Sequence, residues 1–134
     1  MEKAEIQSLI RDAFEAQKFA YVPYSRFHVG AALLGKNGTV YKGCNIENAS
    51  YTPTNCAERT ALLKAVSEGR RTGWTAIAIA GRGSDFCWPC GACRQMLYEF
   101  APGLRVLAAR GDGAFETATL GQLMPHGFGP LSLQ

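Results

Sequence analysis

No apolar run in this sequence approaches the roughly 20 residues that a membrane-spanning helix needs. Basic charge is scattered: 14 lysines and arginines against 11 acidic residues leave a net charge of +3, with only Arg70 and Arg71 adjacent. The sequence therefore carries neither an expected membrane partner nor the dense basic stripe of a nucleic-acid binder. The start, Met1-Glu2-Lys3-Ala4-Glu5, lacks the basic-then-apolar layout of a secretory signal. The expected compartment is the cytoplasm, where thiols stay reduced. Repeats, low-complexity tracts and linkers are missing too, so residues 1–134 read as one domain. A disulfide frame is also disfavoured, because the five cysteines (44, 56, 87, 90 and 93) are odd in number and bunched. Bunching of that kind suits metal ligation.

The patterning of the remainder alternates strands and helices. Ile6, Leu9, Ile10, Ala13 and Phe14 fall at helical spacing, opposite a polar face. After the Pro23-Tyr24-Ser25 break, residues 27–34 and 39–44 read as a hairpin turning at Lys36-Asn37-Gly38. A polar loop at 45–54 leads to a helix that starts near Cys56 and stops at Gly69. Residues 75–80 form a buried strand, a third helix begins near Cys90 and ends at Pro102-Gly103, and a second buried strand spans 104–109. A short strand near 115–118 and a short helix through Leu120, Leu123 and Met124 close the pattern. Two strand–helix–strand units after a hairpin imply a sheet with a largely parallel centre and helices on both faces. Right-handed crossovers then put the starts of the second and third helices at one edge of that sheet, where ligands gather in such folds.

The chemistry at that edge comes from Cys56-Ala57-Glu58 and Pro89-Cys90-Gly91-Ala92-Cys93. Three thiolates at about 2.3 Å from a zinc ion leave one tetrahedral position open for water, the layout of a catalytic site. The ion would lower the pKa of that water towards roughly 7, and Glu58 is placed to carry its proton. Zinc with three thiolates has a net charge of −1, which the positive ends of two helices and Arg59 would offset. Positions 56 and 58 share a site only if Cys56 lies at or before the first helical residue. Other readings stay open at this level. Asn55 and Glu58 have the spacing of a capping box. Cys87 or Cys44 could complete a four-sulfur structural site. Cys87 and Cys90 have the spacing of a redox dithiol, while an iron–sulfur run is weakened by Leu97 standing where its fourth ligand would be.

Cys-x-Glu followed by Pro-Cys-x-x-Cys resembles the signature of zinc-dependent nucleoside deaminases. Tyr24-Ser25-Arg26-Phe27-His28-Val29-Gly30, Gly43-Cys44-Asn45-Ile46-Glu47-Asn48 and Cys56-Ala57-Glu58-Arg59-Thr60-Ala61 extend the resemblance to the small homotetrameric cytidine deaminases. That resemblance implies an α/β fold of three layers, α/β/α, around a mixed five-stranded sheet. It implies zinc, one ion per chain, on Cys56, Cys90 and Cys93, with Glu58 as proton shuttle and Arg59 neutralising the thiolates. Phe27 would pack on the pyrimidine, and the Ala57 N–H would recognise its carbonyl. Asn45 and Glu47 would hold the ribose hydroxyls, and Ile46 would also take part in substrate binding. Tyr51 and Phe128 would close the sites of neighbouring subunits. The implied reaction converts cytidine and deoxycytidine to their uridine counterparts, releasing ammonia for pyrimidine salvage. The rivals are a deaminase of a nucleoside antibiotic such as blasticidin S, and a zinc-stapled binding module without chemistry. Trp88, preceded by Cys87, departs from the small polar residue that many relatives carry before Pro-Cys.

Overall fold

The computed structural model describes residues 1–134. Helix α1 (Lys3–Gln17) is followed by β1 (Gly30–Gly35), β2 (Val40–Cys44), α2 (Ala57–Ser67), β3 (Trp74–Ala80), α3 (Gly91–Phe100), β4 (Arg105–Ala109), β5 (Phe115–Thr119) and α4 (Leu120–Leu123). A 3-10 turn spans Pro130–Leu133. The single sheet has the order β2-β1-β3-β4-β5. No helix is long and apolar enough to cross a membrane.

One expectation is corrected here. The centre of the sheet is not largely parallel: only β3 and β4 pair in parallel, and β1 is antiparallel to both of its neighbours. The tight 35–39 turn returns the chain along β1, and the crossover through α2 then lays β3 on the far side of β1. The first strand–helix–strand unit therefore has the hairpin partner inserted between its two strands. A second correction concerns the start of β1. Residues 27–29 precede the ladder instead of extending it, because their backbone groups are taken by side chains described below.

The two faces are built differently. Ala76, Ala78 and Ala80 of β3 pack with Leu9, Ile10 and Ala13 of α1, and small side chains let the helix lie close. Ile77 and Ile79 point the other way, into a cluster with Leu33, Leu62, Leu97 and Val106 under α2 and α3. That is the period-2 alternation of a strand covered on both sides. Each fully buried leucine or isoleucine contributes about 1.5–3 kcal/mol.

Two glycines set the helix distances. A β-carbon at Gly30 would fall 1.9 Å from the Ala13 carbonyl oxygen, and one at Gly43 would fall 2.6 Å from the Ala57 oxygen. Backbone therefore rests on backbone at one point on each face. Gly30 seats the last turns of α1, and Gly43 seats the first turn of α2. A Gly30→Ala variant should lose about 3 kcal/mol or more, read from urea denaturation. Gly103→Ala, which meets nothing within 4 Å, should stay within about 0.5 kcal/mol of wild type. Equal losses in the two variants would contradict the close packing.

Candidate active site

The carboxyl ends of β2, β3 and β4 and the starts of α2 and α3 meet at one edge of the sheet. Cys56 is the N-cap of α2, with φ −72° and ψ 157°, and Cys90 is the N-cap of α3, with φ −67° and ψ 170°. Both thiols therefore stand at helix mouths, where unpaired N–H groups carry partial positive charge. Because Cys56 precedes the first helical residue, its side chain folds back towards the same end as Glu58.

Cys90 Sγ lies 3.9 Å from Cys56 Sγ and 3.5 Å from Cys93 Sγ, and the three sulfurs lie within 4.8 Å of one another. Ligands of a tetrahedral zinc at about 2.3 Å stand about 3.8 Å apart. The spacing fits one zinc ion. Protonation points the same way. Hydrogen bonding from Cys93, with help from Arg59, pulls the Cys56 thiol down to about 5, whereas the Cys56 sulfur and burial push Cys93 up. Three sulfurs at this spacing do not all ionise without a cation between them.

Cys44 and Cys87 lie outside this group, so no fourth sulfur completes a structural site. Burial pushes the Cys87 thiol up to about 12, whereas a redox dithiol needs an accessible thiolate. Leu97 is in the core, which leaves nothing for an iron–sulfur cluster to use. The four-sulfur and iron–sulfur readings fall on geometry, and the dithiol reading on the burial of the Cys87 thiol.

Glu58 is 4% exposed. It occupies the second position of α2, so it cannot close a capping box whose N-cap is Cys56; Asn55 instead pairs through its backbone with Ile46. Burial, with the Cys56 charge adding to it, raises the Glu58 carboxyl to about 7. A carboxyl that gains and loses a proton near neutrality, beside three sulfurs, is suited to proton transfer. Arg59 donates from Nη2 to Cys56 Sγ at 3.5 Å and to the Thr54 carbonyl at 3.2 Å. Its buried Nε has no partner. The Ala57 N–H, first in its helix, is likewise free of any partner within the chain.

The rest of the rim is held by side chains. Phe27 is 44% exposed, and its ring lies over Gly81 and Gly83: β-carbons there would fall 3.3 and 3.7 Å from it. Cys87 lines the same spot, 3.1 Å from the Gly81 position. Asn45 accepts from the Val29 N–H at 3.0 Å and donates to the Phe27 carbonyl at 2.7 Å. Each end of its amide keeps one further hydrogen-bonding valence. Glu47 accepts from the Tyr24 and Ser25 N–H groups and from the Ser25 hydroxyl, which holds its carboxyl below the usual range. Ile46 is exposed beside them. Tyr51 (72% exposed) stands edge-on to Tyr24 with φ 63°. Phe128, 56% exposed, is tied through its carbonyl to the Gln95 side chain on α3.

Sequence patterns did not single out Ser25 or Arg94. Ser25 Oγ accepts the Phe27 N–H at 3.0 Å. Arg94 donates to the Pro89 and Leu123 carbonyls, both at 2.8 Å, and so fastens the loop before Cys90 to α4. The Pro23-Tyr24-Ser25 break, which marks Ser25 as a turn residue, is the signal that was available.

A family model described as the cytidine and deoxycytidylate deaminase zinc-binding region matches residues 3–109. The chain is 52% identical over 123 residues to the cytidine deaminase of Halalkalibacterium halodurans, covering 91% of this chain and 92% of that one. It is 47% identical over 125 residues to the cytidine deaminase of Sporosarcina psychrophila, covering 92% and 91%. Among solved structures, a crystal structure of cytidine deaminase from Burkholderia pseudomallei matches with a TM-score of 0.89 and 44% identity, over 96% of this chain and 100% of that one.

The raised Glu58 carboxyl has a consequence for stability. Its pKa rises on folding from 4.5 to about 7, so the folded state binds the extra proton between those values. Stability from this group is full below about pH 4.5 and is lost as the pH rises through 7. In zinc-free protein, Glu58→Gln should therefore gain stability relative to wild type across that window, as followed by urea midpoints. A pH-independent difference would contradict the burial of an ionisable carboxyl.

Proposed function

The chain belongs to the cytidine and deoxycytidylate deaminase family, and from that premise we propose that it hydrolyses cytidine and 2'-deoxycytidine to uridine and 2'-deoxyuridine with release of ammonia. The observation that carries this reading is the buried Glu58 carboxyl beside three thiols spaced for one ion. Cys56, Cys90 and Cys93 hold zinc, which supplies the Lewis acidity that makes water nucleophilic near neutral pH.

Every other step falls to side chains and backbone. Water adds through its oxygen to C4 of the base, and the C4–amino bond breaks. Both protons of that water pass through Glu58, the first to N3 and the second to the departing amino group. Ammonia leaves and the product keeps its N3–H, so atoms and charge balance. A carboxyl near pKa 7 is suited to this, since it accepts and releases a proton with little cost either way. Arg59, donating to Cys56 Sγ, offsets the negative charge of the thiolates. The free Ala57 N–H receives the base carbonyl, and the exposed Phe27 ring packs against the pyrimidine. Asn45 and Glu47 take the sugar hydroxyls, using the side-chain valences that their own contacts leave unused, with the exposed Ile46 between them.

A homotetramer is part of the same reading. Tyr51 and Phe128, with Phe19 and Leu131 each 80% exposed, are apolar side chains that contact with neighbouring copies would cover. Aromatic side chains of neighbouring copies would close the open rim over Phe27 and Cys90. Three reduced thiols at the site suit the cytoplasm, and the product suits pyrimidine salvage.

Uridine formation from cytidine, followed by the fall in absorbance, tests the reading. Wild type should turn over and stop when a chelator strips zinc. Glu58→Gln should keep one zinc per chain and lose at least about 10²–10⁴ in kcat. Near-wild-type turnover in that variant would sink the assignment of Glu58. Light scattering should give the mass of four chains, and a monomer that is fully active would exclude subunit closure.

A further inference from the structure

The sheet splits at the site. Gly30 and Ala80 form the last paired rung between β1 and β3. Beyond it, Val29 turns towards Asn45 on the β2 side, while the Gly81 N–H donates to the Ala109 carbonyl on the β4 side. Phe27 hangs from one lip of this fork, and its ring rests on Gly81 and Gly83 of the other. The width of the fork therefore sets where the ring stands.

One side chain spans the fork. Gln17, in the last turn of α1 and 7% exposed, donates from Nε2 to the His28 carbonyl at 3.0 Å and to the Ala80 carbonyl at 3.1 Å. Its two amide protons thus go to the two lips. It reaches them because Gly30 has no side chain, which lets α1 lie directly on β1 at the Ala13 and Gln17 backbones. Gln17 is also a polar residue on the apolar stripe of α1, four positions beyond the buried Ala13. The other backbone groups of this lip are held by Ser25 and Asn45. Among hydrogen bonds, only those of Gln17 tie the lip to β3.

We propose that Gln17 is a positioning residue for the base-binding side of the site: its buried amide clips the β1–β3 fork and so fixes the Phe27 ring. The inference rests on the reading of Phe27 as the face that the base packs on. The clip acts on substrate fit and leaves the sulfur cluster and Glu58, on the opposite layer, undisturbed.

Steady-state kinetics on cytidine, in a double-mutant cycle with zinc content measured throughout, tests it. Gln17→Leu should raise KM about tenfold, leave kcat within about twofold and keep one zinc per chain. In a Phe27→Ala background the same change should raise KM less than about twofold, since the ring it positions is gone. A general packing defect would instead give equal factors in both backgrounds, or would lower kcat and zinc together, and either result overturns the proposal. An unchanged KM in Phe27→Ala alone would remove the platform reading of Phe27 and this inference with it. Should Gln17→Leu not fold, the unmutated protein decides. By NMR, the Gln17 side-chain protons should exchange with solvent at least about tenfold more slowly than those of the exposed Gln7. Equal exchange would overturn the clip.

Discussion

Three sulfurs gathered at a protein edge, all within 4.8 Å of one another and two of the separations under 4 Å, are the constraint on which this structure turns. Two unit charges at that distance repel by about 4 kcal/mol near a surface. Three such pairs rival the whole stability of a domain of this size, about 5–15 kcal/mol. The chain answers with positive charge from several sources: the mouths of α2 and α3, the Arg59 guanidinium on Cys56, and the ion that the spacing fits. The opposed shifts of Cys56 and Cys93 are the signature of that strain. Buried next to this cluster, Glu58 is kept near neutrality in pKa by burial and by the same sulfur charge. Burial is the larger cause of that shift, and the sulfur charge couples Glu58 to the cluster beside it.

The fold serves the cluster by bringing helix ends to a single edge. Gly43 seats the first turn of α2 on β2, which sets the height of Cys56 and Glu58. Arg94 fastens the loop before Cys90 to α4. On the opposite layer, α1 touches the same edge through Gln17. On the proposed reading each layer contributes a different component: the α2/α3 side carries the sulfur cluster and Glu58, and the α1 side the frame of the pocket.

Much of this was legible in the sequence, and the reasons are physical. Helices and strands followed from periodicity and from Gly and Pro stops, because here local preference and burial agree. The cysteine–glutamate constellation was legible because few other uses need three thiols and a carboxyl at helix starts. The parallel centre was misread, since local patterns do not say that β1 inserts between β2 and β3. Residues 27–29 resembled strand for the same reason: apolar character was visible, but the side chains of Ser25, Asn45 and Gln17 that take their backbone groups were not. Those partners lie between 2 and 18 residues away in sequence, and no periodicity announces them. Cys87, bunched with the ligands, proved to be a neighbour lining the Phe27 side.

Zinc-edge X-ray absorption on the zinc-loaded protein tests the central claim most directly. Three sulfurs at about 2.3 Å and one lighter atom are expected, the open arrangement that catalysis needs. A shell of four sulfurs would contradict it and return the site to a structural role.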